Sequence, residues 1–164
     1  MKGYVLMIKI LFICHGNICR SPMAEFILKD MVKKARLESC FCIASCATST
    51  EEIWNGTGNP VYPPARQELK KHGISCEGKR AVQLKREDYQ KYDLLLGMDQ
   101  NNIRNMLRIL KKDPEGKVKR LLDYSDHPRD IADPWYTGEF GVTYADIVEG
   151  CQALLEYLKD NGWL

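Results

Sequence analysis

With 164 residues, 45% of them hydrophobic and 28% charged, the chain is long enough for one domain to bury a core without covalent staples. The 24 Lys and Arg against 22 Asp and Glu leave a formal charge of only +2, which argues against a nucleic-acid-binding face, and no apolar run approaches the roughly 18 residues of a membrane span. The cysteines number 7, which is odd, so a fully paired disulfide framework is excluded and a reducing, cytoplasmic setting is expected.

Residues 5–13 are apolar apart from Lys9 and lead straight into Cys14-His15-Gly16. No small-residue cleavage pattern follows, so the stretch reads as a buried first strand, with 1–6 as an N-terminal extension because Met7 would also serve as a start. Ser21-Pro22 marks a helix start, with Pro at the first helical position and Ala24, Phe26, Ile27, Met31 and Ala35 on one face. Residues 41–47 read as a second strand, and the Gly-, Asn- and Pro-rich 54–64 as a loop. A helix over 64–72 ends at Gly73, a good C-terminal cap, and 85–92 is a short helix. A third strand follows at 93–97, then a helix over 101–112 stopped by Asp113-Pro114, and a fourth strand at 118–122. A loop over 123–141 precedes a final amphipathic helix, 143–159. No segment is low-complexity or repeated. Strands alternating with helices predict an α/β fold with a parallel sheet covered on both faces, whose sites form beyond the carboxyl ends of the strands.

The first strand ends at Cys14, and Cys14-His15-Gly16-Asn17-Ile18-Cys19-Arg20-Ser21 lies between it and the first helix. A Cys and an Arg five residues apart are weak evidence alone; the context carries the weight. Gly16 and Asn17 both tolerate the left-handed backbone of a loop wrapped round an anion, and the following helix presents its positive end. Such a cradle favours the thiolate of Cys14, a nucleophile for phosphorus. Arg20 would offer two parallel N–H donors to two phosphoryl oxygens, and Ser21 would hydrogen-bond the sulfur. The loop lacks a Gly-Lys-Ser/Thr ending, and no Gly-x-Gly-x-x-Gly follows a strand, so nucleotide binding has little support.

Residues 14–25, Cys-His-Gly-Asn-Ile-Cys-Arg-Ser-Pro-Met-Ala-Glu, resemble the signature of low-molecular-weight protein tyrosine phosphatases. The likeness continues through Ser45, Lys71-His72-Gly73-Ile74, Gly97-Met98-Asp99 and Asp133-Pro134-Trp135-Tyr136. The resemblance implies a Rossmann-like, four-stranded parallel sheet flanked by helices, with 1–164 forming a single phosphatase domain. It implies hydrolysis of phosphotyrosine through a cysteinyl phosphate on Cys14, with Arg20 holding the phosphoryl group and Asp133 as general acid and then base. A phenolate leaves more easily once protonated, which a carboxylic acid over the site can do. Asp113-Pro114 competes on residue type, and the residues alone favour Asp133 only through its flanking aromatics.

By the same resemblance His15, Gly16, Asn17, Ile18, Cys19, Arg20 and Ser21 form the phosphate-binding loop, with the backbone of His15 mattering more than its ring. Trp135 and Tyr136 form one wall of the substrate slot and Trp54 the opposite wall. Asn17, Ser45 and His72 form a hydrogen-bonded support behind the loop, although His72 reads equally as a helix C-terminal residue favoured by the dipole. Cys46 stands after Ser45, where many members carry Gly. Cys19 would trap an oxidised Cys14 as a disulfide. Cys40, Cys42 and Cys46 share parity on the second strand and read as packing residues on one side of the sheet, while Cys76 and Cys151 have no evident partner. No cofactor and no metal are expected. The expected partner is a phosphotyrosine-containing protein, with a bacterial tyrosine kinase as one candidate by family analogy, and neither nucleic acid nor membrane; the chain is expected to be a monomer.

Three rival functions are weaker. Arsenate reductases share the loop but need two further cysteines near the third strand, and 94–102 contains none. Protein arginine phosphatases typically carry Thr where this chain has the bulkier, apolar Ile18. A non-catalytic phosphate-binding module would need neither a nucleophile nor an acid.

Overall fold

A computed structural model describes residues 7–164, so the extension expected at 1–6 and the first residues of the expected 5–13 strand lie outside the described residues. Strand β1 (Ile8–Cys14) is buried at every position but Lys9, as its apolar run requires of a strand covered on both faces. It pairs in parallel with β2 (Phe41–Ala47) on one side and β5 (Leu94–Gly97) on the other, and β6 (Val118–Arg120) closes the far edge. The sheet order is therefore β2-β1-β5-β6, four parallel strands as expected. The register sets Cys14 beside Ala47 and Ile13 beside Gly97, so three strands end together where Cys14 stands.

On one face, α1 (Arg20–Lys34), α2 (Pro63–Lys71) and α6 (Phe140–Asp160) cover Ile10 and Phe12 with Met23, Ile27, Leu69, Ile147 and Leu154. On the other, α4 (Gln100–Leu110) and the short α3 (Asp88–Lys91) cover Leu11, Ile13 and Leu95 with Met106, Leu110 and Tyr89. Gly73, at φ 75°, takes the left-handed conformation that ends α2.

The differences from expectation lie at element ends. Helix α1 starts at Arg20, before Ser21-Pro22, because the phosphate loop feeds directly into it without a side-chain cap. The 54–64 loop is partly ordered: β3 (Ile53–Trp54) and β4 (Thr57–Gly58) form a small antiparallel hairpin whose turn, Asn55-Gly56, has positive φ at both residues. Short helix α5 (Pro134–Thr137) interrupts the long 123–141 loop. The cysteines of the second strand also divide: Cys46 is buried, Cys42 is exposed near the start of the edge strand, and Cys40 sits before the strand in a turn packed on the opposite core.

Candidate active site

Cys14 ends β1 and Arg20 begins α1, so residues 15–19 must turn the chain within one loop. Asn17 makes the turn with φ 59°, a left-handed conformation whose cost its side chain offsets. Its Oδ1 accepts from Val82 N–H at 3.0 Å, and its Nδ2 donates to Ser21 Oγ at 2.8 Å and Ser45 Oγ at 2.9 Å. Gly16, also expected to supply a left-handed turn, has no positive φ; it is small because a Cβ there would come within 3.2 Å of Glu52 Cγ. Ser21 Oγ accepts from Asn17, which leaves its own hydrogen for the Cys14 sulfur 3.0 Å away. Ser21 N–H also donates to that sulfur, at 3.4 Å.

The Arg20 side chain is almost wholly buried. Its Nη1 donates to Asp99 Oδ2 at 2.6 Å and to the Ile131 carbonyl at 2.8 Å. That engagement leaves Nε and Nη2 as the fork offered to a ligand. Burial works against the guanidinium charge, but Cys14, Asp99 and Asp133 outweigh it and raise its pKa. Asp99 is held in turn as the N-cap of α4, its Oδ1 accepting from Asn102 N–H at 2.7 Å. Asp133 is the N-cap of α5: Oδ1 accepts from Trp135 N–H at 3.0 Å and Oδ2 faces Arg20 Nη2 at 3.4 Å. Cys19, beside these groups, is held as a neutral thiol, chiefly by burial and then by the charge of Cys14. Ile18 packs with Cys19 and Ala81, against Ile53, Tyr62 and Phe140.

A cavity of about 340 Å³ opens over the loop, lined by Cys14, His15, Gly16, Ile18, Cys19, Arg20, Asp133, Trp135 and Tyr136, and by Glu51 and Glu52. Trp135 is 53% exposed and leans on Tyr62, ring centroids 4.8 Å apart; Tyr136 is 84% exposed. The expected opposite wall is corrected. Trp54 is 83% exposed on the hairpin and does not line the cavity, because the β3–β4 turn carries it outward and leaves Glu51 and Glu52 in its place. A larger cavity of about 590 Å³ lies beside α2, lined by Arg66, Ile74, Cys76 and Glu77 among others, and none of the loop residues 14–20 reaches it.

The support behind the loop is also corrected at one position. Ser45 accepts from Asn17 and donates to Glu25 Oε1 at 2.6 Å. His72 does not join it. One helical turn separates His72 from Glu68, whose carboxylate meets its Nε2 at 3.1 Å, and the ring stacks on Tyr144 of α6 at 3.7 Å. The place beside Ser45 belongs to Lys79, whose Nζ donates to the Ser45 carbonyl at 2.8 Å and lies 3.5 Å from Glu25 Oε1. Asp99, Glu25, Lys79, Glu51 and Glu52 are thus site residues that the sequence reading did not assign. Asp99 and Glu25 lie inside the motifs Gly97-Met98-Asp99 and 14–25, which are the signal the sequence carries for them.

The family model for low molecular weight phosphotyrosine protein phosphatase matches residues 9–163. Over 155 residues the chain is 37% identical to the low molecular weight protein-tyrosine-phosphatase YfkJ of Bacillus subtilis, a match covering 93% of this chain and 97% of that one. It is 38% identical over 152 residues to the low molecular weight phosphotyrosine protein phosphatase of Gallus gallus, covering 90% and 93% of the two chains. The crystal structure of YfkJ superimposes with a TM-score of 0.86 at 36% identity, over 94% of this chain and 96% of that one.

Proposed function

The chain belongs to the low molecular weight phosphotyrosine protein phosphatase family and is a protein tyrosine phosphatase, and we propose that it works through a cysteinyl phosphate on Cys14. The observation that carries this reading is the convergence of Cys14, Arg20 and Asp133 on one cavity. The aryl phosphate enters with its phosphoryl oxygens on the loop N–H groups, the start of α1 and the Arg20 fork. The Cys14 thiolate attacks phosphorus, the P–O bond to the phenol breaks, and Asp133 gives its proton to the leaving oxygen. Water then attacks the cysteinyl phosphate, Asp133 takes its proton, and phosphate leaves as the thiolate is restored. Ser21, held by Asn17, donates to the sulfur and steadies it as leaving group in this second step.

The same reading extends to a single phosphatase domain working as a monomer in the cytoplasm, on phosphotyrosine proteins among which a tyrosine kinase is a candidate. Cys14→Ser is expected to abolish hydrolysis while phosphate still binds; retained turnover would refute the mechanism. One panel separates the chemistries: phosphotyrosine peptide, phosphoarginine peptide, and arsenate with a thiol reductant. Turnover of the first alone is expected, and preference for the second would move the assignment to phosphoarginine.

A further inference from the structure

The cavity that Trp135 and Tyr136 line also carries two acidic side chains, Glu51 and Glu52, and, resting on the phosphatase reading, we propose that they select phosphotyrosines flanked by Arg or Lys. Glu51 and Glu52 follow β2 and are fixed at the mouth by two different neighbours. Glu51 is 71% exposed and pairs with the phosphate loop itself, its Oε2 3.0 Å from His15 Nε2. Glu52 is tied to the hairpin loop, its Oε2 accepting from Asn59 Nδ2 at 3.1 Å, with its Cγ close against Gly16.

Neither carboxylate helps to bind a phosphate dianion, which both repel. Arg20 cannot compensate them, its Nη1 being held by Asp99 and the Ile131 carbonyl and its fork taken by the phosphoryl group. One imidazole, His15, cannot neutralise two carboxylates. The mouth therefore holds a negative field through which the peptide must run once its tyrosine ring is in the slot. A neighbouring residue starts about 3.8 Å along the chain, so an Arg or Lys there reaches the rim. An Arg fork matches a carboxylate in two parallel bonds. Acidic neighbours would meet repulsion at the same place.

The test compares kcat/KM for short peptides carrying one phosphotyrosine flanked by Arg, by Gln or by Glu. Exposed charge pairs of this kind are worth roughly two- to fivefold each, so the Arg peptide should exceed the Glu peptide by about fivefold or more at low salt. The ratio should shrink toward one near ~0.5 M salt, where such charges are screened. The contact lies far from the leaving group, so the difference should fall in KM rather than kcat. Glu51→Gln should reduce the ratio, and Glu51→Lys, which sets one cation against the remaining Glu52, should bring it close to one. Equal values for the three peptides, or a ratio unmoved by Glu51→Lys, would overturn the selection and leave the phosphatase reading standing. Failure to hydrolyse any phosphotyrosine peptide would overturn both.

Discussion

Arg20 stands between two carboxylates of different duty, and the geometry separates them. Asp99 is locked at 2.6 Å as a helix cap, so it fixes the guanidinium and has no freedom to do anything else. Asp133 meets the same guanidinium at 3.4 Å from the first residue position before a one-turn helix, and lines the cavity where Asp99 does not. A phosphoryl group that takes the Arg20 fork displaces the looser partner, Asp133, toward the leaving oxygen. Removal of this acid should therefore depend on how badly the leaving group needs a proton. Asp133→Ala is expected to cost about 10²-fold or more in kcat on alkyl-substituted phenyl phosphates, and far less on nitrophenyl phosphates. A leaving-group series measured on both enzymes would check this, and equal losses throughout would point to another acid.

The loop carrying Asp133 is pinned on its N-terminal side by elements that do not touch substrate. Arg129 donates to Asp146 at 2.9 Å and to both oxygens of Glu149 at 2.9 and 3.0 Å, binding the loop to α6. Asp130 accepts from Gln100 N–H at the start of α4, and Ile131 N–H donates to the Met98 carbonyl. The Arg129 hydrogen bonds, with one from Ser125, hold the Glu149 carboxyl down at about 2. A carboxyl whose folded pKa is depressed adds stability above its unfolded value near 4.5, and that stability is lost as pH falls toward 2. Arg129→Ala is expected to lower Tm by a few degrees at pH 7 and by less at pH 3, and to lower kcat severalfold on poor leaving groups; thermal melts at both pH values check it. Elements were legible where an apolar run was nearly unbroken: β1 is interrupted only by Lys9 and β2 only by Ser45, and Gly73 marks the end of α2. Partnerships across distance were not. Asp99 lies 79 residues from Arg20, and Lys79 reaches Ser45 across 34. Trp54 misled because residue type suggested a wall, whereas its direction is set by an Asn-Gly turn whose hairpin packs it outward. His72 misled because a family position was read without the nearer partner, Glu68, one turn back on the same helix.

At the scale of the molecule, the cysteines outside the catalytic loop shape the response to pH. Cys46 lies between the sheet and α3–α4, and Cys151 lies under α6 in the opposite core, each with its thiol pushed up by burial. Tyr124 adds a phenol raised by the same cause, whose hydroxyl finds no hydrogen-bond partner among the described residues. All three are held protonated in the folded chain, whereas in the unfolded chain thiols ionise from about pH 8.5 and phenols from about 10. A folded pKa raised above the unfolded one gives stability that is complete below the unfolded value and is lost as pH rises toward the folded value. Each such group then removes about 1.4 kcal/mol per pH unit. Several such groups acting together remove a substantial part of a domain stability of roughly 5–15 kcal/mol. The urea midpoint is therefore expected to be flat between about pH 6 and 8 and to fall steeply above about 9. Cys151→Ala separates titration from packing. It leaves a small void that lowers the plateau by about 1 kcal/mol, yet it should make the alkaline fall shallower by one group's share. An unchanged alkaline slope in that variant would mean that the Cys151 thiol does not titrate on unfolding, and that the fall has another origin.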